Sequence, residues 1–176
     1  MCIRDSDNSG QPSAKEVFDT TPYTILVVDD NPDMTDFLKR TFEGYFKRII
    51  IAGDGVEALQ LVRSHVPDII VSDVMMPRMN GYKLCKTIKE DINISHIPVI
   101  LLTARDDRQS QISGYKNGAD GYLSKPFEVE MLMELIRNRL KNREYTKKRY
   151  GDTVYIFVDE KNSKKPMPVS YTHLRA

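Results

Sequence analysis

Cysteine is scarce in this chain. Cys2 and Cys85 are its only two, far apart and without metal-ligand spacing, which argues against a disulfide framework or a zinc site and fits a reducing, cytoplasmic setting. Charge of one sign is lacking too: 26 Lys and Arg oppose 25 Asp and Glu, and the formal charge of +1 creates no global field to draw nucleic acid or a membrane surface. Long apolar runs are also missing. None approaches the roughly 18 residues of a membrane span, and the opening MCIRDSDNSG has no apolar centre of the kind a signal peptide carries. What is present is 40% hydrophobic content over 176 residues, enough for one substantial core and too short for two full domains. One domain with tails is expected.

The two ends read as inverted copies. Residues 1–6 can be written in codons whose reverse complement, in one frame, encodes the Val-Ser-Tyr-Thr-His run beginning at Val169. Both ends resemble translated transposon-end adapters of sequencing libraries, and Leu174, Arg175 and Ala176 continue the same adapter. Residues 1–6 and 169–176 are therefore expected to be adapter-derived, with 7–168 cut from a longer protein, and they stay outside the fold reading.

Residues 7–22 hold Ser, Gly, Gln, Pro and Thr with few large apolar groups, the composition of a linker. From Tyr23, short β-rich runs alternate with longer helical patterns. Strands are expected over 23–28, 48–52, 68–72, 99–103 and 122–124. The first helix starts near Pro32 and carries Phe37, Leu38, Thr41 and Phe42; the second turns Val56, Leu59 and Val62 inward. Leu84, Thr87 and Ile88 face the sheet from a third, and Ile112, Tyr115 and Ala119 suggest a fourth. Val129, Leu132, Leu135, Ile136 and Leu140 mark a long last helix. The alternation predicts an α/β domain over 23–141 built on a parallel sheet. Residues 142–168 read as a basic linker towards a downstream region. The stretch 137–149 is strongly basic around Tyr145, the pattern of a solvated helix end whose cations face the C-terminal dipole, so no nucleic-acid or membrane contact is expected of it.

The chemistry gathers where the strands end. Asp29 and Asp30 follow TILVV, Asp73 follows DIIVS, Thr103 closes VILLT and Lys125 follows GYLS. In a parallel sheet these ends share one edge, where open α/β sheets place their ligands. Three carboxylates brought together repel and require a cation, and magnesium suits hard oxygen donors beside a phosphoryl group. Each signal alone has an ordinary structural reading: a turn or helix cap for the acidic pair, a β-branched strand residue for Thr103, a turn for Lys125 and Pro126. Taken together, with Met76-Pro77, Asn80-Gly81 and Gly118-Ala119-Asp120 in register, their spacing resembles the receiver domains of two-component response regulators over roughly residues 23–140.

That resemblance implies a flavodoxin-like, doubly wound five-stranded parallel sheet in the order 2-1-3-4-5 with helices on both faces. It implies Asp73 as phosphoryl acceptor and metal ligand, Asp30 as direct Mg2+ ligand, Asp29 as ligand through water, and the Met75 carbonyl as the last protein oxygen. Lys125 and the Thr103 hydroxyl contact the phosphoryl oxygens, the Lys125-Pro126 bond is cis, and Ala104 leaves room above the acceptor. Thr103 and Tyr122 form the switch, and the face made by the fourth helix, fifth strand and fifth helix gives the output and a possible homodimer contact. The implied partner is a sensor histidine kinase or its phosphohistidine domain, and the only catalysis is the domain's own phosphorylation and dephosphorylation. The linker before Tyr23 favours a receiver fused within a hybrid sensor kinase over a free-standing regulator. A docking module without phosphorylation, and a Mg2+-dependent phosphohydrolase, are the other classes; adjacent aspartates with a separate acceptor depart from the Asp-x-Asp pair of that hydrolase family. His65 and His96 lack paired ligands and resemble no phosphodonor. The side chains of Met75, Met76, Met79, Met131 and Met133 are expected to be loop and core packing, not a partner groove or metal site. Met75, two residues past the acceptor, cannot hydrogen-bond a hydrolytic water well, and Arg105, two past Thr103, is the matching position on the other strand, so slow self-dephosphorylation is expected.

Overall fold

A computed structural model describes residues 17–104, 118–150, 153–154 and 169–170 of the chain. Five strands, β1 (Thr24–Val28), β2 (Arg48–Ala52), β3 (Ile69–Asp73), β4 (Val99–Ala104) and β5 (Gly121–Lys125), form one sheet in the order β2-β1-β3-β4-β5 with every pairing parallel. The strands alternate their apolar residues between two covered faces, which is why they read as continuous hydrophobic runs. Leu26, Val28, Ile70, Val99 and Leu101 pack towards Ala58, Val62, Leu84, Cys85 and Ile88 of helices α2 (Gly55–His65) and α3 (Gly81–Glu90). Ile25, Val27, Ile69, Val71, Ile100 and Leu102 pack on the other side. There they meet Leu38 and Phe42 of α1 (Pro32–Phe42) and Leu132, Met133, Ile136 and Leu140 of the C-terminal helix (Val129–Tyr150). Each fully buried Leu or Ile contributes about 1.5–3 kcal/mol, so both faces are needed to stabilise a sheet of this size.

Local sequence starts each of the first three helices where the sheet requires it. Asn31, Asp54 and Asn80 are their N-caps, each side chain accepting from amides of the first turn. Pro32 takes the first helical position of α1, where its missing N–H costs nothing.

The five expected strands and the first, second, third and last expected helices stand, with shifts of a residue or two at strand ends. Three finer expectations differ. Phe37 is about half exposed, and Thr35 is buried with Leu38 and Phe42 instead. On α3, Cys85 takes the core position, while Thr87 is half-buried and its hydroxyl donates to the Lys83 carbonyl. The boundary expected at residue 141 falls inside a helix that continues to Tyr150, because 142–150 are mostly good helix formers with no Gly or Pro to stop them. The last residues of the expected linker also pack on the domain: Phe18 stacks on Tyr23 at 5.8 Å, and buried Thr20 donates to the Tyr45 carbonyl at 2.7 Å. The helix expected about Ile112 and Tyr115 lies outside the described residues, as does Arg105. A separate antiparallel ladder pairs Thr153–Val154 with Val169–Ser170. Among the described residues no helix is long and apolar enough to cross a membrane.

Two aspartates tie the amino edge of the sheet. Asp68 accepts from the Thr24 amide at 2.9 Å and from Arg143 at 2.9 Å, anchoring the C-terminal helix beneath β1 and β3. Asp120 accepts from the Val99 amide at 2.8 Å and pairs with Lys89 at 2.7 Å. Arg143, expected among solvated cations, is thus a structural tie.

Candidate functional site

Parallel register brings the chemistry to the carboxyl edge. β1 ends at Val28 opposite Ser72, so Asp29 and Asp73 leave adjacent strands side by side. On the other flank, Thr103 pairs with Ser124 and Ala104 with Lys125, placing the hydroxyl and the ammonium on neighbouring strands. The Lys125 Nζ lies 3.0 Å from Asp29 Oδ2 and 3.0 Å from Asp73 Oδ1. Asp29, Asp30 and Asp73 each offer a carboxylate oxygen within 4.8 Å of the others; Asp30 is exposed and the other two buried. The Lys125-Pro126 peptide is cis.

Three carboxylates and one ammonium leave two negative charges in a half-enclosed site. Burial pushes the Asp73 carboxyl up, and neighbouring Asp29 adds to the effect; Lys125 opposes it without cancelling it, so the net shift is upward. Burial alone would lower the Lys125 ammonium, but its hydrogen bonds to Asp29 and Asp73 dominate and hold it above its ordinary value. The excess negative charge and hard oxygen donors fit a divalent cation such as magnesium. Thr103 is fully buried and its hydroxyl has no hydrogen-bond partner among the described residues. An unused buried donor commonly costs about 1–3 kcal/mol, and here it stands one strand from the acceptor. Ala104 is exposed beside Lys125, Tyr122 is half-buried against the α2 and α3 side of the core, and the Met75 side chain is 71% exposed.

The loop from Val74 to Asn80 is held closely at both ends. The Gly81 amide donates to the Val74 carbonyl at 2.9 Å, and a Cβ at 81 would run into the Asp73 carbonyl, so only glycine fits. At the far side, the Gly55 amide donates to the Met79 carbonyl at 3.2 Å, and a Cβ there would lie 2.6 Å from that same oxygen. Between them Arg78 adopts φ 62° at the centre of a three-residue turn closed by Met79 N to Pro77 O at 2.6 Å. A non-glycine residue in such a turn costs on the order of 1–3 kcal/mol and needs support from its surroundings. The Arg78 guanidinium pairs with the buried carboxylate of Asp54. Burial alone would raise the Asp54 carboxyl, but Arg78 and the Glu57 and Val56 amides outweigh it and hold it below the ordinary range.

Of the expected site residues, Asp29, Asp30, Asp73 and Lys125 come together; Thr103 lies on β4 next to the strand that carries Asp73, Tyr122 lies on β5 three residues before Lys125, and the Met75 side chain faces solvent. The reading from sequence missed Arg78 and Asp54. The signal for Asp54 was available, since an Asp directly before Gly55 with Glu57 three residues on is a helix-start pattern. Nothing in the sequence pairs it with Arg78, 24 residues away. His65 is exposed on its Ser64 neighbour and His96 is exposed near the amino edge, both away from this site. Of the remaining methionines, Met133 is buried, Met76 and Met79 pack against the core, and Met131 is exposed.

A parallel five-stranded sheet with an acidic cluster, a hydroxyl and an ammonium on its carboxyl edge defines a doubly wound α/β domain with a polar, acidic site where such sheets carry their ligands. Residues 25–137 match the model of the response regulator receiver domain, and the chain belongs to that family. It is 41% identical over 137 residues to histidine kinase P4 of Formosa agariphila, covering 78% of this chain and 10% of that protein. It is 37% identical over 126 residues to the DNA-binding response regulator MtrA of Mycolicibacterium smegmatis, covering 72% and 54%. The signal receiver domain of a histidine kinase from Syntrophus aciditrophicus superposes with TM-score 0.65 at 34% identity, covering 69% of this chain and 92% of that one. The chain thus spans between a tenth and about half of the curated relatives named here. It is a receiver module of two-component signalling, whose family works with histidine kinases.

Proposed function

We propose that Asp73 takes a phosphoryl group from a phosphohistidine on a partner kinase or phosphotransfer domain, and that the phosphorylated domain signals by changing shape. The observation that carries this is the Lys125 ammonium seated between Asp29 and Asp73, with the Thr103 hydroxyl on the neighbouring strand, buried and without a partner among the described residues. In the transfer, the phosphorus–nitrogen bond breaks as a phosphorus–oxygen bond to Asp73 forms, and the imidazole leaves with the electron pair. Lys125 shifts from the acceptor to a phosphoryl oxygen, and Thr103 donates to another. Asp29, Asp30, Asp73 and the Met75 carbonyl would hold Mg2+, which when bound neutralises charge on the transferring group. Access of water is set by the exposed Met75.

A small phosphodonor with Mg2+ tests the chemistry. One phosphoryl adduct should appear on the parent by intact mass and vanish in Asp73→Asn; an adduct that persists in the variant sinks the assignment. Steady release of phosphate from an ester would instead indicate a hydrolase.

The switch follows from packing. Thr103, drawn to the phosphoryl group, vacates space beside β5 into which Tyr122 turns, altering the face of β5 and the C-terminal helix. Tyr122→Ala should leave adduct formation intact and remove the phosphorylation-dependent change in partner binding or self-association; an unaltered response counts against the switch. The match to a tenth of a long histidine kinase supports a hybrid kinase as the cytoplasmic parent. Dimerisation through the altered face is the corresponding proposal for assembly, checked by sedimentation with and without phosphodonor.

A further inference from the structure

We infer that Arg78 and Asp54 form a positioning clamp for the metal-binding loop, an assignment that rests on the proposed function of the site. Asp54 does two tasks at once: one oxygen caps α2 by accepting from the Val56 amide at 2.8 Å and the Glu57 amide at 3.1 Å, and the other receives Arg78. The carboxylate is buried and fixed by a rigid helix end, so it is an anchor for the loop. Arg78 is the positive-φ centre of the turn over Pro77 and Met79. That turn lies five residues after Asp73 and three after Met75, whose carbonyl completes the oxygen set. Beside the ion pair, the turn meets α2 through the Gly55 to Met79 hydrogen bond at 3.2 Å, at the long end for an amide donor, and through the Met79 side chain packed over Gly55.

The ion pair therefore holds a conformation the backbone resists. Releasing it lets the turn relax, and the relaxation reaches the Met75 carbonyl through a short stretch of loop whose other end is fixed at Val74 and Gly81. Neither residue touches the phosphoryl group. Their effect on the site passes through the loop, as that of residues holding metal ligands in place generally does.

Mg2+ titration by calorimetry tests this on the whole chain. Arg78→Gly accepts the positive φ and removes only the clamp; Asp54→Asn keeps a good helix cap and removes the charge. Each should weaken Mg2+ about tenfold. Because both changes break one interaction, the double variant should also lose about tenfold and not a hundredfold. Arg78→Lys, which keeps a cation opposite Asp54, should recover part of the loss. Parental Mg2+ affinity in Arg78→Gly, or additive losses in the double variant, overturns the clamp. The Arg78 arm, at a side chain 61% exposed, carries the test even where Asp54→Asn fails to fold. A parent that binds no Mg2+ sinks the proposed function itself, whereas a parent that binds and an Arg78→Gly variant that binds equally well sink only the clamp.

Discussion

At the scale of single residues, the site is a balance of charges held at close range. Lys125 touches two carboxylates at 3.0 Å each, so it neutralises Asp29 and Asp73 only in part and leaves Asp30 facing solvent. Burial, with Asp29 beside it, raises the Asp73 carboxyl despite Lys125, and the uncompensated charge suits a divalent cation. Met75 is the residue whose side chain adds least to that balance. It stands 71% exposed two positions past the acceptor, with a thioether that accepts hydrogen bonds only weakly. Met75→Asn supplies a group able to hold a water near the phosphoryl group. The rate of phosphate loss, followed by intact mass after removal of donor, should rise by about tenfold or more; an equal rate in parent and variant removes Met75 from the account.

At the scale of elements, the sheet decides where the groups lie and the loop after β3 decides how they are presented. Gly81 is the tightest joint in that loop: a Cβ there would run into the Asp73 carbonyl oxygen and lie 3.0 Å from the Val74 Cα. Gly81→Ala forces backbone apart at the acceptor itself. It should cost about 2 kcal/mol, read as a drop of roughly 8 °C in Tm, and weaken Mg2+ as well; a variant with parental melting would show that the loop yields freely. The C-terminal helix behaves differently along its length. Its first part buries Leu132, Ile136 and Leu140 against the sheet, Arg143 ties it to Asp68, and from Tyr145 to Arg149 every side chain is exposed.

At the scale of the whole molecule, pH and metal act on the same cluster. Lys125 has its folded value above the ordinary 10.5, so the stability from its pairs is fully present below 10.5 and is lost as pH rises through the folded value. Asp73 is raised above the ordinary 3.8, so its ionised form is a cost at neutral pH, one relieved as pH falls towards 3.8. Asp54 acts in the opposite sense. Its folded value lies below 3.8, and its contribution is lost as acid titrates it. Melting in metal-free buffer should therefore weaken above pH 10.5, and a flat alkaline profile would remove Lys125 from the stability account. At neutral pH, Mg2+ at ten times its Kd should stabilise the parent by about 1.4 kcal/mol and Asp73→Asn by less. Equal stabilisation of the two would place the cation elsewhere.

The sequence alone determined the alternation of strands and helices, and the residues that end each strand, because hydrophobic period and the chemistry of caps and turns are local properties. Arg48–Ala52 could be read as a strand from its own five residues, and Asp29, Asp30, Asp73, Thr103 and Lys125 could be read as one site because a parallel sheet sends successive strand ends to one edge. Side-chain burial on a single helix turn was less legible. Phe37 gives its expected core place to Thr35, and Thr87 gives its place to Cys85, since the rotation of each helix about its axis decides which of its residues meet the sheet. Only the tertiary structure joined Arg78 to Asp54 and Arg143 to Asp68. Those pairs bridge 24 and 75 residues, and each partner is an ordinary loop or helix charge until the sheet order brings them together.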